Sequence, residues 1–324
     1  LISLRFVFAI VCTASTAAAG AASAQTWPTK PIRLVTAFAT GTAPDIVCRV
    51  MADRLSRALG EQVVVDNRPG GSSIIAAETV AHAPADGYTF FFATTAPLVT
   101  NQLTFKSLPY DAERDFAPVA MVGRNPFLIL VPPSLPVRTI PELVAYEKRH
   151  PGELSFASDG PRNFSGMIGA WLNKVAGMHM VQVPYANMAQ GVRDTIAGRT
   201  QAIILAFAAA RPFMASGQLR AIAKTGPETI PGFEPLATVA ETYPGFTFGG
   251  WFAIVAPAGI LDDVVLRMNR NVDKVLADPE VIQKLDDIGI TTNGAGTPGA
   301  LGRFIDSEDE RWEKTVRQIG LEPE

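Results

Sequence analysis

The stretch Ile32-Arg33-Leu34-Val35-Thr36-Ala37-Phe38, continuing as Ala39-Thr40-Gly41-Thr42-Ala43-Pro44-Asp45, reads as a strand, a loop and the start of a helix. The first run is apolar and of strand length. Pro44 or Asp45 stands where a helix takes an N1 proline or an N-cap, and the helical pattern runs to Leu59 before Gly60 stops it. Val63–Val65 is the next buried strand and Asn67-Arg68-Pro69-Gly70-Gly71 a turn. Ile74–His82 follows as a helix that Ser72 or Ser73 can cap. Pro84-Ala85-Asp86-Gly87 then turns the chain into a third strand, Tyr88–Ala93, and a loop, Thr94-Thr95-Ala96-Pro97.

Outward from this unit the alternation continues. Strands are predicted at Phe127–Val131, Leu154–Ala157, Met180–Val183, Ala202–Leu205, Leu219–Ala223 and Trp251–Ala256. Helices are predicted from Thr139-Ile140-Pro141 to His150, over Phe164–Ala176 up to Gly177, and over Asn187–Ala197 up to Gly198. Further helices are predicted over Ala208–Ser216, Ile260–Leu276 and Glu280–Ile288, with a last one starting at Thr297-Pro298. Such alternation predicts an α/β protein with mostly parallel sheets. In such sheets ligands sit beyond the C-terminal strand ends, in strand-to-helix loops. Ala39–Asp45, Thr94–Pro97 and Ser158–Asn163 are therefore the loops that matter.

The first 24 residues read as a secretory signal peptide. Arg5 precedes the apolar run Phe6–Val11, and Ala22-Ser23-Ala24 is an A-x-A cleavage signature, placing the cut between Ala24 and Gln25. The run is shorter than the roughly 20 apolar residues that a membrane span needs. A lipid anchor at Cys12 is disfavoured by the bulky Ala9-Ile10-Val11 before it. Export into the periplasm is the expectation. The formal charge is −3 and no basic stripe appears, which argues against nucleic acid as a partner. Cys12 leaves with the leader, so Cys48 remains alone, and its place among Ile46, Val47 and Val50 predicts a buried, inert thiol.

Several segments resemble the solute receptors of tripartite tricarboxylate transporters, the Bug family. They are Trp27-Pro28-Thr29-Lys30-Pro31-Ile32-Arg33-Leu34-Val35, Leu59–Gly71, Asp86-Gly87-Tyr88-Thr89, Leu108-Pro109-Tyr110-Asp111, Val183-Pro184-Tyr185 and Phe252–Gly259. Together they span the mature chain in order. The resemblance implies a two-lobed, type II periplasmic-binding-protein fold that closes like a trap on a small carboxylated solute. It implies delivery to an integral-membrane permease, no catalysis, no cofactor, no metal and a monomer. One lobe would comprise residues 25–125 and 247–324, the other 126–246.

The chain departs from the family pattern in the loops. Thr42 replaces one of the paired glycines of the first loop, and Ser158-Asp159-Gly160-Pro161-Arg162-Asn163 replaces an S-S-G-x-G-T loop. Gly166 stands where a helical His is usual, and Leu205 where an Asp is usual. The carboxylate-binding framework is kept in outline with its side chains reshuffled.

A helix N-terminus offers unpaired N–H donors and a partial positive charge, which suits a carboxylate. On that ground Ala39, Thr40, Gly41 and Thr42 are candidate ligand contacts, as are Thr94 and Thr95 at a strand end. Ser158, Arg162 and Asn163 are candidates from the second-half loop, and Tyr185 could close the cleft or simply pack beside the hinge. Arg162 could fork onto a ligand carboxylate or pair with Asp159 in its own loop. Asp45 reads as a cap that orders its loop.

Two apparent motifs carry little. Gly294-Ala295-Gly296-Thr297-Pro298-Gly299 spells G-x-G-x-x-G, but too little chain follows for a βαβ unit. His82, His150 and His179 lack metal-ligand spacing, and no G-x-S-x-G is present. The leading expectation is a solute receptor. The alternatives are an exported α/β enzyme, which would need a nucleophile and base that the sequence does not display, and a ligand sensor for a membrane kinase.

Overall fold

The computed structural model describes residues 27–230 and 232–324. The leader and its cleavage point lie outside the described residues. The chain runs β1 (Ile32–Thr36), α1 (Ala43–Leu59), β2 (Val63–Asn67), α2 (Ile74–Ala81) and β3 (Thr89–Thr94). A π-type stretch, Ala96–Thr100, leads into α3 (Asn101–Thr104), then β4 (Phe116–Val131), α4 (Ile140–Arg149), β5 (Ser155–Ser158) and α5 (Phe164–Ala176). There follow β6 (Val181–Pro184), α6 (Met188–Ile196), β7 (Ala202–Ala206), α7 (Phe207–Ala215), β8 (Arg220–Lys224) and β9 (Gly249–Pro257). The chain ends with α8 (Asp262–Leu276), α9 (Pro279–Asp287) and α10 (Pro298–Ile319).

The strand order is β2-β1-β3-β9-β4-β7-β5-β6, with β8 also on β4. Both flanks are parallel, as strand–helix alternation requires: β2, β1 and β3 on one side, β6, β5 and β7 on the other. The pairings made by β4 and β9 are antiparallel. The sheet is thus parallel at its flanks and antiparallel at its centre, where the sequence pattern predicts mostly parallel pairing. The centre differs because β4 is one long strand serving both flanks. Its Phe116–Pro126 segment pairs β9, and its Phe127–Val131 segment pairs β7 and β8.

Only Phe127–Val131 of this strand is legible in sequence. Pro118, Gly123 and Pro126 punctuate the rest; register shifts at Pro118/Ala120 and Met121/Gly123 absorb the first two, and Pro126 closes the pairing with β9 opposite Gly249. Gly123 is needed there, because a Cβ would lie 2.7 Å from Ile290 and 2.9 Å from the Thr291 carbonyl. The expected loop Thr94–Pro97 is instead a direct passage from strand to helix: Thr95 already has helical φ/ψ.

The capping grammar otherwise holds. Pro44 lies in the first turn of α1, and Gly60 ends it in the left-handed conformation, donating its N–H to Ser56 O. Gly177 and Gly320 end α5 and α10 the same way. Cys48 is fully buried in the core between α1 and the sheet, and burial pushes its thiol well up. Helix α10 packs Trp312 against Phe164 of α5 and against Phe248, with ring centroids 5.1 and 4.8 Å apart. It thereby tethers the last helix to α5 and to the segment that leads into β9.

Candidate functional site

The strand-to-helix passages that follow β1, β2, β3 and β5 converge on a cleft beside the β4–β9 centre, the first of them through Phe38. A cavity of about 550 Å³ is lined by Ser72 and Ser73 before α2, Thr94, Thr100 and Asn101 after β3, and Gly160, Arg162 and Asn163 before α5. A smaller apolar cavity of about 220 Å³ shares Phe38, Thr94, Ala96 and Phe164 with it. The larger volume falls in the ordinary range for small-molecule sites.

The polar wall is built under strain. Ser72 and Ser73 both have positive φ, 50° and 72°. Consecutive left-handed serines cost roughly 1–3 kcal/mol each and persist only where neighbours hold them. Asn101 is that neighbour: it is buried, and its Nδ2 donates to the Ser72 carbonyl at 2.9 Å and to Tyr110 Oη at 3.2 Å. Burial pushes the Tyr110 hydroxyl up to about 12. Ser73 sits at the N-cap of α2 without a capping hydrogen bond, so its hydroxyl is not committed to the helix.

The opposite wall depends on Gly166. A Cβ there would lie 1.9 Å from the Gly160 carbonyl oxygen and 2.5 Å from Gln182 Nε2. Only a bare Cα lets the Asp159–Asn163 loop settle onto α5. Asp159 accepts from the Ser165 hydroxyl and lies against the N-terminus of that helix. Burial raises its carboxyl, against the pull of Ser165 Oγ and of the Ser165 and Gly166 N–H groups. The α5 N-terminus therefore already holds an internal carboxylate.

Arg162 lines the cavity with its side chain 30% exposed. It does not pair with Asp159. Its Nη2 donates to the Glu322 carbonyl at 3.0 Å, its Nη1 lies 3.3 Å from Glu324 Oε2, and its Nε has no partner among the described residues. Glu324 itself lines the cavity and is tied to the α3 region through Thr104 and Lys106. Asn163 lines the cavity and donates to the Asp159 carbonyl at 2.6 Å. Thr94 lines both cavities, and Thr95 borders the apolar one with a buried Oγ1 that has no partner among the described residues.

The remaining candidates lie elsewhere. Ala39, Thr40, Gly41 and Thr42 are exposed and are not among the cavity residues. Their polar groups close the loop on itself: Gly41 N–H donates to Asp45 Oδ2 at 2.8 Å, and Thr42 Oγ1 to the Ala39 carbonyl at 2.8 Å. Asp45 is the organiser, also accepting from Arg49 and Asn67. Burial alone would raise its carboxyl, but these hydrogen bonds outweigh burial and hold it below the usual range. Ser158 is fully buried, accepting from Gln182 Nε2 at 2.8 Å, and supports the loop from beneath. Tyr185 packs on Gly191 and donates to Asp194 at 3.0 Å, outside both cavities.

Residues 47–321 match the family model for the tripartite tricarboxylate transporter family receptor. The chain belongs to this receptor family. BugT of Bordetella pertussis is 32% identical over 300 residues, covering 92% of each chain. An R. palustris protein solved with adipate is 34% identical, with a TM-score of 0.80 over 92% of this chain and 100% of its own. MatC of Rhodopseudomonas palustris, solved with malate, is 26% identical, with a TM-score of 0.75 over 89% of this chain and 99% of its own.

Within this receptor two departures from the family pattern have structural reasons. Gly166 makes room for the Gly160 carbonyl, and Leu205 is packed in an apolar cluster with Leu128, Val192 and Phe207. The cavity residues missed by sequence reasoning include Ser72, Ser73, Asn101 and Glu324 on the polar side, and Phe38, Asn125, Phe127, Phe164, Trp251 and Phe252 on the apolar side. Gly70-Gly71-Ser72-Ser73 is itself a strand-to-helix loop, so the rule that singled out the other three loops reaches it as well.

Proposed function

We propose that this receptor captures a small carboxylate in the cleft between two lobes, residues 25–125 with 247–324 and residues 126–246, and delivers it to the integral-membrane permease of a tripartite transporter. The observation that carries the reading is the 550 Å³ cavity, whose polar groups come from both sequence blocks: Ser72, Ser73, Thr94 and Asn101 from one, Arg162 and Asn163 from the other. The ligand carboxylate would engage Arg162 and Asn163 on one wall and the Ser73 and Thr94 hydroxyls on the other. Binding then draws the walls together by the hinge mode of periplasmic receptors. The chain crosses between the blocks within β4 and again just before β9, and these two crossings supply the hinge. The relatives solved with adipate and malate support the ligand class.

The receptor is exported through the leader at residues 1–24 and acts as a periplasmic monomer without catalysis. Among the described residues no helix is long and apolar enough to cross a membrane. A thermal-shift screen of metabolites tests the ligand class, because a ligand that binds only the native state stabilises it by mass action. Stabilisation by carboxylates is expected; stabilisation by cations or sugars alone would refute the reading. Turnover assays on the stabilising compounds separate it from the enzyme alternative.

A further inference from the structure

We propose that the ligand is a monocarboxylate bearing a compact aromatic ring, held with its carboxylate in the polar cavity and its ring in the adjoining apolar one. This rests on the carboxylate-receptor reading and specifies the rest of the molecule. The two cavities share Phe38, Thr94, Ala96 and Phe164, so one ligand can span them. The apolar cavity holds about 220 Å³. An apolar protein cavity of about 150 Å³ is enough to take benzene.

The lining decides between a ring and a second carboxylate. Two ring pairs supply the walls: Phe127 with Phe164, centroids 4.6 Å apart, and Phe38 with Phe252, 6.0 Å apart and nearly edge-on. Among the described residues no Lys or Arg lines this cavity; Arg162 belongs to the polar one. A second carboxylate placed here would be desolvated without a counter-charge, which is heavily unfavourable. A flat ring finds offset and edge contacts with its neighbours, and loses less rotamer freedom than a flexible chain of equal size.

Thr95 and Asn125 border this cavity with their polar atoms covered. Thr95 is 3% exposed, and its Oγ1 has no hydrogen-bond partner among the described residues; the same holds for Asn125 Oδ1. The face offered to a ring is therefore apolar.

Titration calorimetry on the wild-type chain with 4-hydroxybenzoate, benzoate, adipate and phenol tests this. The aromatic acids should bind about tenfold or more tightly than adipate, since adipate would bury an unpaired charge. Adipate binding as tightly as the aromatic acids overturns the ring assignment while the carboxylate reading stands. Phenol binding as tightly as 4-hydroxybenzoate, or no binding by any of the acids, overturns both. The comparison of ligands on the wild-type protein decides the proposal.

Discussion

Gly166→Ala is the sharpest single probe of how this site is built. In an unconstrained helix interior the change would stabilise by about 1 kcal/mol, because glycine is a poor helix former. Here the new Cβ would sit 1.9 Å from the Gly160 carbonyl oxygen, and that atom belongs to backbone rather than to a flexible side chain. The Asp159–Asn163 loop must therefore lift by about 1 Å or more before the contact becomes tolerable. Overpacking of this kind costs about 1–3 kcal/mol, so the net effect is a loss of up to about 2 kcal/mol after the helix gain. The functional effect should be larger. Lifting the loop moves Arg162 and Asn163 away from the opposite wall, and a lost hydrogen bond to a charged group is worth about 1.5–3 kcal/mol, or roughly tenfold to hundredfold in affinity. Gly169→Ala is the control: its Cβ would strike the Phe156 ring at 2.2 Å, deep in the core and away from the loop. Both variants should melt below wild type, while only Gly166→Ala should weaken the tightest carboxylate found by calorimetry. A Gly166→Ala protein with wild-type melting temperature and wild-type dissociation constant would refute the reasoning.

Arg162→Ala should weaken the same carboxylate by roughly tenfold to hundredfold, and Arg162→Lys should restore only part, because an ammonium lacks the planar fork. Glu324→Gln removes the carboxylate that Arg162 now faces, and should tighten binding by a few-fold at most, the scale of a partly exposed ion pair; calorimetry on both variants decides. Asp309 is raised to about 7, chiefly by burial, with the nearby acids Glu113, Asp306 and Glu308 adding to it and the Gln102 hydrogen bond opposing. A carboxyl raised on folding favours the native state while protonated, so its contribution is lost as pH rises from the unfolded value near 4 to about 7. Asp309→Asn should flatten that part of a melting-temperature profile and raise the melting point at pH 8. Cys48 should resist a thiol reagent in the native protein and react fully once denatured, because its thiol is buried with its ionisation suppressed.

Much of this molecule was legible along the chain. The period of the apolar runs, the prolines at helix starts and the glycines at helix ends placed α1, α5 and α10 almost to the residue, because these signals act through nearest neighbours in sequence. The same local logic identified Asp45 as the residue that orders its loop, although the N-cap of α1 is Thr42 and Asp45 lies in the first turn, and it placed Cys48 in the core. It also marked the strand-to-helix loops as the region of the site, since every parallel strand must end on the same side.

Tertiary structure decided which of those loops build a cavity. Two loops with the same local pattern met different fates: Ala39–Thr42 folded onto Asp45 and left the cavity, while Gly70–Ser73 was pinned into it by Asn101 from another element. Arg162 found Glu322 and Glu324, 160 residues or more away in the chain, instead of Asp159 three residues away. The long strand β4 was hidden because its prolines and glycine break the local pattern, and only pairing with β9 and the close approach of Thr291 make it a strand. The apolar cavity has no sequence signature either, since Phe38, Phe127, Phe164 and Phe252 look like ordinary core residues one at a time. Local chemistry sets where a chain can turn, coil and cap. Which uncommitted polar groups face one another across a cleft depends on long-range packing, and that is fixed only when the sheet closes around β4 and β9.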